Sequence, residues 1–203
     1  AQSEMATGKQ FARYWLHGEF LSIGEKDEKM AKSGENFITL QTLMNKGYDP
    51  LSYRYLLLTS HYRSKLKFSW ESLKAAEQAY MKLKRFIAKD YSEEKEELKK
   101  KNKKLYNHWE EQKESIKKTI TDPLADDLNT PQALGAIWNL LASGTSDYLK
   151  KEIILEIDKA VLGLKLDEQK ETAIPEEIKK LAEDRQEARA SKQWKKADEL
   201  RAQ

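Results

Sequence analysis

Cysteine is absent from all 203 residues, which excludes a disulfide framework and any thiolate metal site. Histidine is nearly absent too. The three present, His17, His61 and His108, are scattered without the close spacing that a zinc site needs. No long apolar run and no signal-like start occur, so membrane insertion and secretion are excluded for the residues present, and a cytoplasmic protein is expected. An excess of either charge is lacking as well: 37 Lys+Arg stand against 34 Asp+Glu, a net of +3. Such a chain does not bind nucleic acid by bulk charge, and any such contact has to come from local patches.

What is present is 39% hydrophobic and 35% charged, enough to bury the core of one or two modest domains. Gln2 to Thr7 reads as a short helix closed by Gly8. Phe11 to His17 and Phe20 to Ile23 read as two short strands or one bent strand, with His17 a packed or turn residue. Thr39 caps a helix with Leu40, Leu43 and Met44 on its apolar face, ending at Gly47. Asp49-Pro50 starts another, with a buried stripe of Leu51, Tyr55, Leu58 and Tyr62, and His61 to Arg63 satisfying carbonyls at its end.

Beyond Ser69 the period is helical almost throughout. Leu73, Ala76, Tyr80, Leu83 and Ile87 form one stripe. Leu98, Leu105, Trp109 and Ile116 form another, on a helix from Ser92 to about Ile120 expected to pack antiparallel to the first. The charged block Glu93 to Lys104 reads as a solvated face, because Glu96 and Lys100, and Glu97 and Lys101, are four apart. Asp122-Pro123 is expected to break the helix, with Asp126 and Asp127 as cap and turn residues. Thr130 caps the next helix, striped by Leu134, Ile137, Trp138 and Leu141. A last one carries Ile153, Ile157 and Val161 and ends at Gly163, completing a bundle of about four helices. A polar linker from Asp167 to Ala173 leads to a helical tail from Pro175.

Two stretches carry chemistry. Lys29-Met30-Ala31-Lys32-Ser33 brings two cations and a hydroxyl together on a turn-prone run between a strand and a helix, a natural seat for a polyphosphate. By spacing alone, such a run in a lysine-rich chain is more often a solvated loop. In the tail, Arg189, Trp194 and Asp198 set an aromatic among charged groups, where an unpaired base can stack. The same Trp194, with Ala197 and Leu200, would equally fasten two helices together.

Lys29 to Ser33 resembles the Lys-Met-Ser-Lys-Ser signature of class I aminoacyl-tRNA synthetases. The flanks Tyr14-Trp15-Leu16-His17 and Asn36-Phe37-Ile38-Thr39 are similar to those of the cysteinyl-tRNA synthetase family, as are Asp49-Pro50, Arg54-Tyr55, His61-Tyr62-Arg63, Asn129 to Leu134 and Arg189 to Arg201, in that order. Ala31 replaces the signature's middle serine, and Gly34-Glu35 replaces the commoner Leu-Gly after it.

The resemblance implies a carboxyl-terminal piece of a monomeric cytoplasmic enzyme that activates cysteine with ATP and Mg2+ and charges tRNA(Cys). Lys32 matches the ATP-contacting lysine, with Lys29 and Ser33 in support. Arg189, Trp194 and Asp198 match positions that meet the anticodon. Zinc is expected in the full-length enzyme, with its ligands outside this chain, and the piece alone is expected to be inactive. The implied fold is mainly α: the end of the catalytic domain and a stem-contact region with a short β segment (1–68), an antiparallel helical bundle (69–166), and a truncated anticodon-binding tail (167–203). Two other readings stay open, a cysteine:aminosugar ligase with the same catalytic layout and a stand-alone helical tRNA-binding module.

Overall fold

The computed structural model describes residues 2–23, 28–29, 38–168, 184–186 and 193. It is mainly helical, in two units that divide after Glu168. In the second, Asp184 to Gln186 are helical and Gln193 is exposed.

The first unit opens with helix α1 (Gln2–Thr7), closed by Gly8 at φ +63°. Strand β1 (Leu21–Ile23) follows, then β2 (Glu28–Lys29), α2 (Leu40–Asn45), α3 (Pro50–Leu58) and β3 (Leu66–Phe68). The sheet has the order β2-β1-β3. β1 runs antiparallel to β2 and parallel to β3, with Leu21 opposite Leu66 and Ile23 opposite Phe68. The parallel pair needs a crossover, and α2 and α3 provide it.

Cap chemistry fixes these helices. Thr39 and Thr42 form a reciprocal capping box on α2. Asp49 accepts from the Leu51 N–H at 3.0 Å, and Pro50 sits at the first helical position of α3. Only Leu43 of the expected α2 face is buried, while Leu40 and Met44 are exposed. On α3 the buried residues are Ser52, Tyr55 and Leu56, and Tyr62 lies beyond the helix end.

Helix α4 (Trp70–Ala88) starts at a Ser69–Ser72 capping box and buries the whole expected stripe, Leu73, Ala76, Tyr80, Leu83 and Ile87. Leu73, Leu83 and Ile87 each contribute roughly 1.5–3 kcal/mol by leaving water. After it come α5 (Ser92–Lys101), α6 (Lys103–Ala125), α7 (Thr130–Ala142) and α8 (Asp147–Ile157). α4 packs chiefly on α3 and α8, and α6 chiefly on α7, so the two striped helices expected to pair with each other take other main partners.

Several expectations are corrected. Phe11 to His17 forms no strand. A β-prone run needs an edge to pair with, and the nearest main-chain bond falls after the run, from Glu19 N–H to Tyr62 O at 2.7 Å in the loop ahead of β3. His17 is exposed, its ring stacked on Trp15. The helix from Ser92 is interrupted at Asn102, whose side chain accepts from Leu105 N–H and so caps a new helix. Pro123 does not break α6. It lies two positions before the last helical residue, Ala125, with its ring buried, so the missing donor falls in the final turn. The cap of α7 is Asn129 and not Thr130: its side-chain Oδ1 accepts from Gln132 N–H at 3.2 Å.

The end of α8 differs as well. Asp158–Leu162 forms a π-helical turn closed by Gly163 at φ +60°. The wider turn advances the inward face by one residue, so Leu162 is buried and Val161 is exposed. Asp158 is 1% exposed, and its two carboxylate oxygens accept from Leu164 N–H at 2.6 Å and Leu166 N–H at 2.9 Å. Arg54 Nε donates to Leu162 O and Tyr80 OH to Leu164 O, so α3 and α4 both hold the chain leaving the π turn.

Candidate functional site

The lysine run leaves an ordered ladder. Lys29 pairs through its backbone with Ser22 of β1, which is buried, and β1 is held on its other side by β3. Lys32 and Ser33 lie outside the described residues. The chain is described again at the half-buried Ile38 and at Thr39, whose hydroxyl accepts from Thr42 N–H at 3.1 Å. A cavity lined by Leu21, Ile38, Leu40, Leu43, Tyr53 and Phe68 lies between sheet and helix. The strand before the run and the helix after it thus rest on one apolar floor, which fixes the two anchors of the motif relative to each other.

Beneath that floor the aromatics interlock. Phe68 meets Tyr53 and Trp70 edge-on, Tyr48 stacks on Trp70, and the Lys46 ammonium lies 4.7 Å from the Trp70 ring centroid. Ring pairs of this kind add stiffness beyond the area they bury. Arg189, Trp194 and Asp198, the three tail positions, lie outside the described residues.

Sequence reasoning missed one cluster. His61, Tyr62 and Arg63 do not satisfy the carbonyls of α3; they reach across to Asp127, in the turn before α7. His61 Nε2 lies 2.8 Å from Asp127 O, the Tyr62 hydroxyl donates to Oδ1 at 2.5 Å, and Arg63 Nε lies 2.9 Å from Oδ2. The Tyr62 hydroxyl above all, and then the Arg63 guanidinium, hold the Asp127 carboxyl below its ordinary range against the opposing effect of burial. Asp127 and Leu128 both take left-handed backbone, φ 54° and 56°. The signal available was Asp126-Asp127 beside Asn129, which marks a tight turn; a link over more than sixty residues has no local trace.

Next to this cluster an apolar groove opens between Leu16, Phe20, Leu57, Leu66 and Leu128. Among the described residues there is no group of three His, Asp or Glu that could hold a metal ion. No described helix is long and apolar enough to cross a membrane.

Comparison with known proteins agrees with this frame. Residues 1–78 match the family model described as the catalytic domain of class I (C) tRNA synthetases. Cysteine–tRNA ligase 1 of Burkholderia lata is 38% identical over 206 residues, covering 99% of this chain and 39% of the relative. The cysteine–tRNA ligase of Treponema denticola is 36% identical, covering 99% of this chain and 44% of the relative. That of Chlamydia felis is 35% identical over the whole chain and 43% of its own length. The chain spans about two fifths of the length of these curated relatives. With such identity from end to end, and with a class I synthetase model over residues 1–78, the chain is homologous along its whole length to about two fifths of a cysteine–tRNA ligase.

Proposed function

We propose that this chain supplies the ATP-phosphate loop and the tRNA-binding helices of a cytoplasmic, monomeric cysteine–tRNA ligase, which activates cysteine with ATP and transfers it to tRNA(Cys). The observation that carries this reading is the lysine signature, launched from a paired strand and received by a capped helix, within a chain similar along its whole length to such enzymes. Residues 1–68 close the catalytic domain and form the stem-contact region, 69–166 form an antiparallel bundle, and 167–203 begin the anticodon-binding domain.

In-line displacement at the α-phosphate needs no protein nucleophile. It needs reactants aligned and negative charge compensated as it moves onto the leaving pyrophosphate. Lys32 meets that charge in the transition state, Lys29 supports it from the strand end, and the Ser33 hydroxyl adds a donor. Ala31 removes one hydroxyl from the usual signature and neither cation. Mg2+ arrives with ATP as part of the substrate. Zinc does not fit the described residues, which offer neither a thiolate nor a three-ligand group, and no step here runs through it. In the tail, Trp194 offers a stacking face, Asp198 accepts from a guanine edge, and Arg189 donates to base or phosphate.

The test separates the two halves of the reaction. The chain alone is expected to show only background cysteine-dependent pyrophosphate exchange. In an enzyme of the relatives' full length carrying this sequence, Lys32→Ala is expected to lower kcat for exchange by the equivalent of about 2.7–4 kcal/mol, the worth of one lost transition-state donor. Trp194→Ala is expected to leave exchange intact and weaken aminoacylation by about 1–3 kcal/mol, one lost base stack. Exchange by the chain alone, or a Lys32→Ala effect confined to KM, overturns the assignment. A lower melting temperature for Trp194→Ala with unchanged aminoacylation makes that residue a helix fastener.

A further inference from the structure

Helix α4 turns Lys74, Gln78, Lys82, Arg85 and, at its C-terminal cap, Lys89 outward. The spacing of four, four, three and four puts all five on one line, opposite the buried stripe from Leu73 to Ile87. Among the described residues none of these four cations is in an ion pair. Their recorded contacts leave the charge uncancelled. The Lys82 ammonium lies 5.2 Å from the Trp138 ring centroid, and Arg85 Nε donates to Met81 O at 3.2 Å.

The line extends at both ends. Trp70, four residues before Lys74 on the same face, carries Lys46 over its ring, and Lys151 Nζ donates to Lys89 O at 2.7 Å. Within α4 itself the acids are confined to the N-terminal half: Glu71 and Glu77 each lie three residues from Lys74. Asp90, beyond Lys89, has its carboxylate engaged by the Ser92 N–H and hydroxyl. Lys82 and Arg85 are three apart and Arg85 and Lys89 four apart, like-charge pairs that weaken a helix. On α5 the opposite holds, since Lys99 pairs with Glu96 and Lys101 with Glu97.

We propose that this face of α4 tracks the ribose-phosphate backbone of a folded RNA, supplying charge and no base recognition. The inference rests on the reading of the chain as part of a tRNA ligase and adds to it a surface outside the lysine signature and the tail. The track from Lys74 to Lys89 rises about 22 Å at 1.5 Å per residue, long enough to meet several phosphates. No large apolar side chain interrupts the five outward positions, as an interfacial membrane helix would require.

The test uses the whole chain with Lys82→Gln, Arg85→Gln and Lys89→Gln combined, titrated against tRNA(Cys) and an unrelated tRNA transcript by fluorescence anisotropy across a salt series. The wild type is expected to bind both. The triple variant is expected to lose at least tenfold for both alike, and the slope of log affinity against log salt should become shallower by about 2–3, near one per lost phosphate contact. Its melting temperature should hold or rise, because two like-charge pairs are gone. Replacing Lys99, Lys100 and Lys101 by Gln should leave the slope unchanged. A triple variant with the wild-type slope overturns the proposal and leaves the face to an acidic protein surface. A wild-type chain that binds neither RNA overturns it together with the tRNA reading, whereas loss confined to tRNA(Cys) assigns binding to the tail and overturns the track alone.

Discussion

Asp158 is 1% exposed, and its acceptors are spent on the N–H groups of Leu164 and Leu166. Truncation leaves two buried donors with nothing to bond, at about 1–3 kcal/mol each. Asp158→Ala is therefore expected to be among the most destabilising polar substitutions in the chain, read as a drop in the urea midpoint with little change in slope. Five residues on, Gly163 has φ +60°, and a Cβ there would stand 3.0 Å from Arg54 Nη2. Gly163→Ala carries a backbone cost of about 1–2 kcal/mol plus a steric one. Combining it with Arg54→Ala should remove only the steric share, so the two substitutions should prove non-additive in a double-mutant cycle.

At the scale of elements, α5 contributes no buried residue, while α4 contributes five. Ion pairs help hold α5 to α8: Glu152 takes Lys95 at 2.5 Å and Lys113 of α6 at 3.2 Å. Burial alone would raise the Glu152 pKa, but the hydrogen bonds from the two lysines outweigh it and the folded value is lowered. A lowered carboxyl pKa gives stability that is present above the unfolded value, near 4.3, and is lost as pH falls through the folded one. Amide exchange on α5 is expected to quicken relative to α4 as the medium is acidified through that range, and Glu152→Gln should remove the difference. The α4 stripe was legible in full because five apolar positions repeat over four turns. The break at Asn102 was not, because the sequence on both sides of it is polar and helix-favouring, and only the cap bond to Leu105 reveals it. The π turn was hidden for a related reason: Val161 and Leu162 are both apolar, and nothing local says which faces in. The lysine signature was plain as a pattern, whereas its frame depends on β1 and β3 meeting across more than forty residues.

Over the first unit, burial is uneven. The helices from α3 onward hold a core, yet Phe11, Tyr14, Trp15, Leu16 and Phe20 are each more than 60% exposed, and Leu16 and Phe20 line the groove beside Leu57 and Leu128. A patch of this kind binds apolar dyes in the native state. Leu16→Ser with Phe20→Ser is expected to reduce anilinonaphthalene sulfonate fluorescence with almost no change in melting temperature, because neither side chain is far removed from water. The parallel pairing of β1 with β3 has a further consequence, in time. The pairing of β1 with β2 is local, but β1 finds β3 only after α2 and α3 have brought residue 66 back to residue 21. The three-stranded sheet behind the lysine run is therefore completed late, upon helices already formed. In pulse-labelled hydrogen exchange the amides of α4 should be protected before those of Leu21 to Ile23, so that a molecule caught midway through folding carries the cationic line of α4 before the lysine run has a frame.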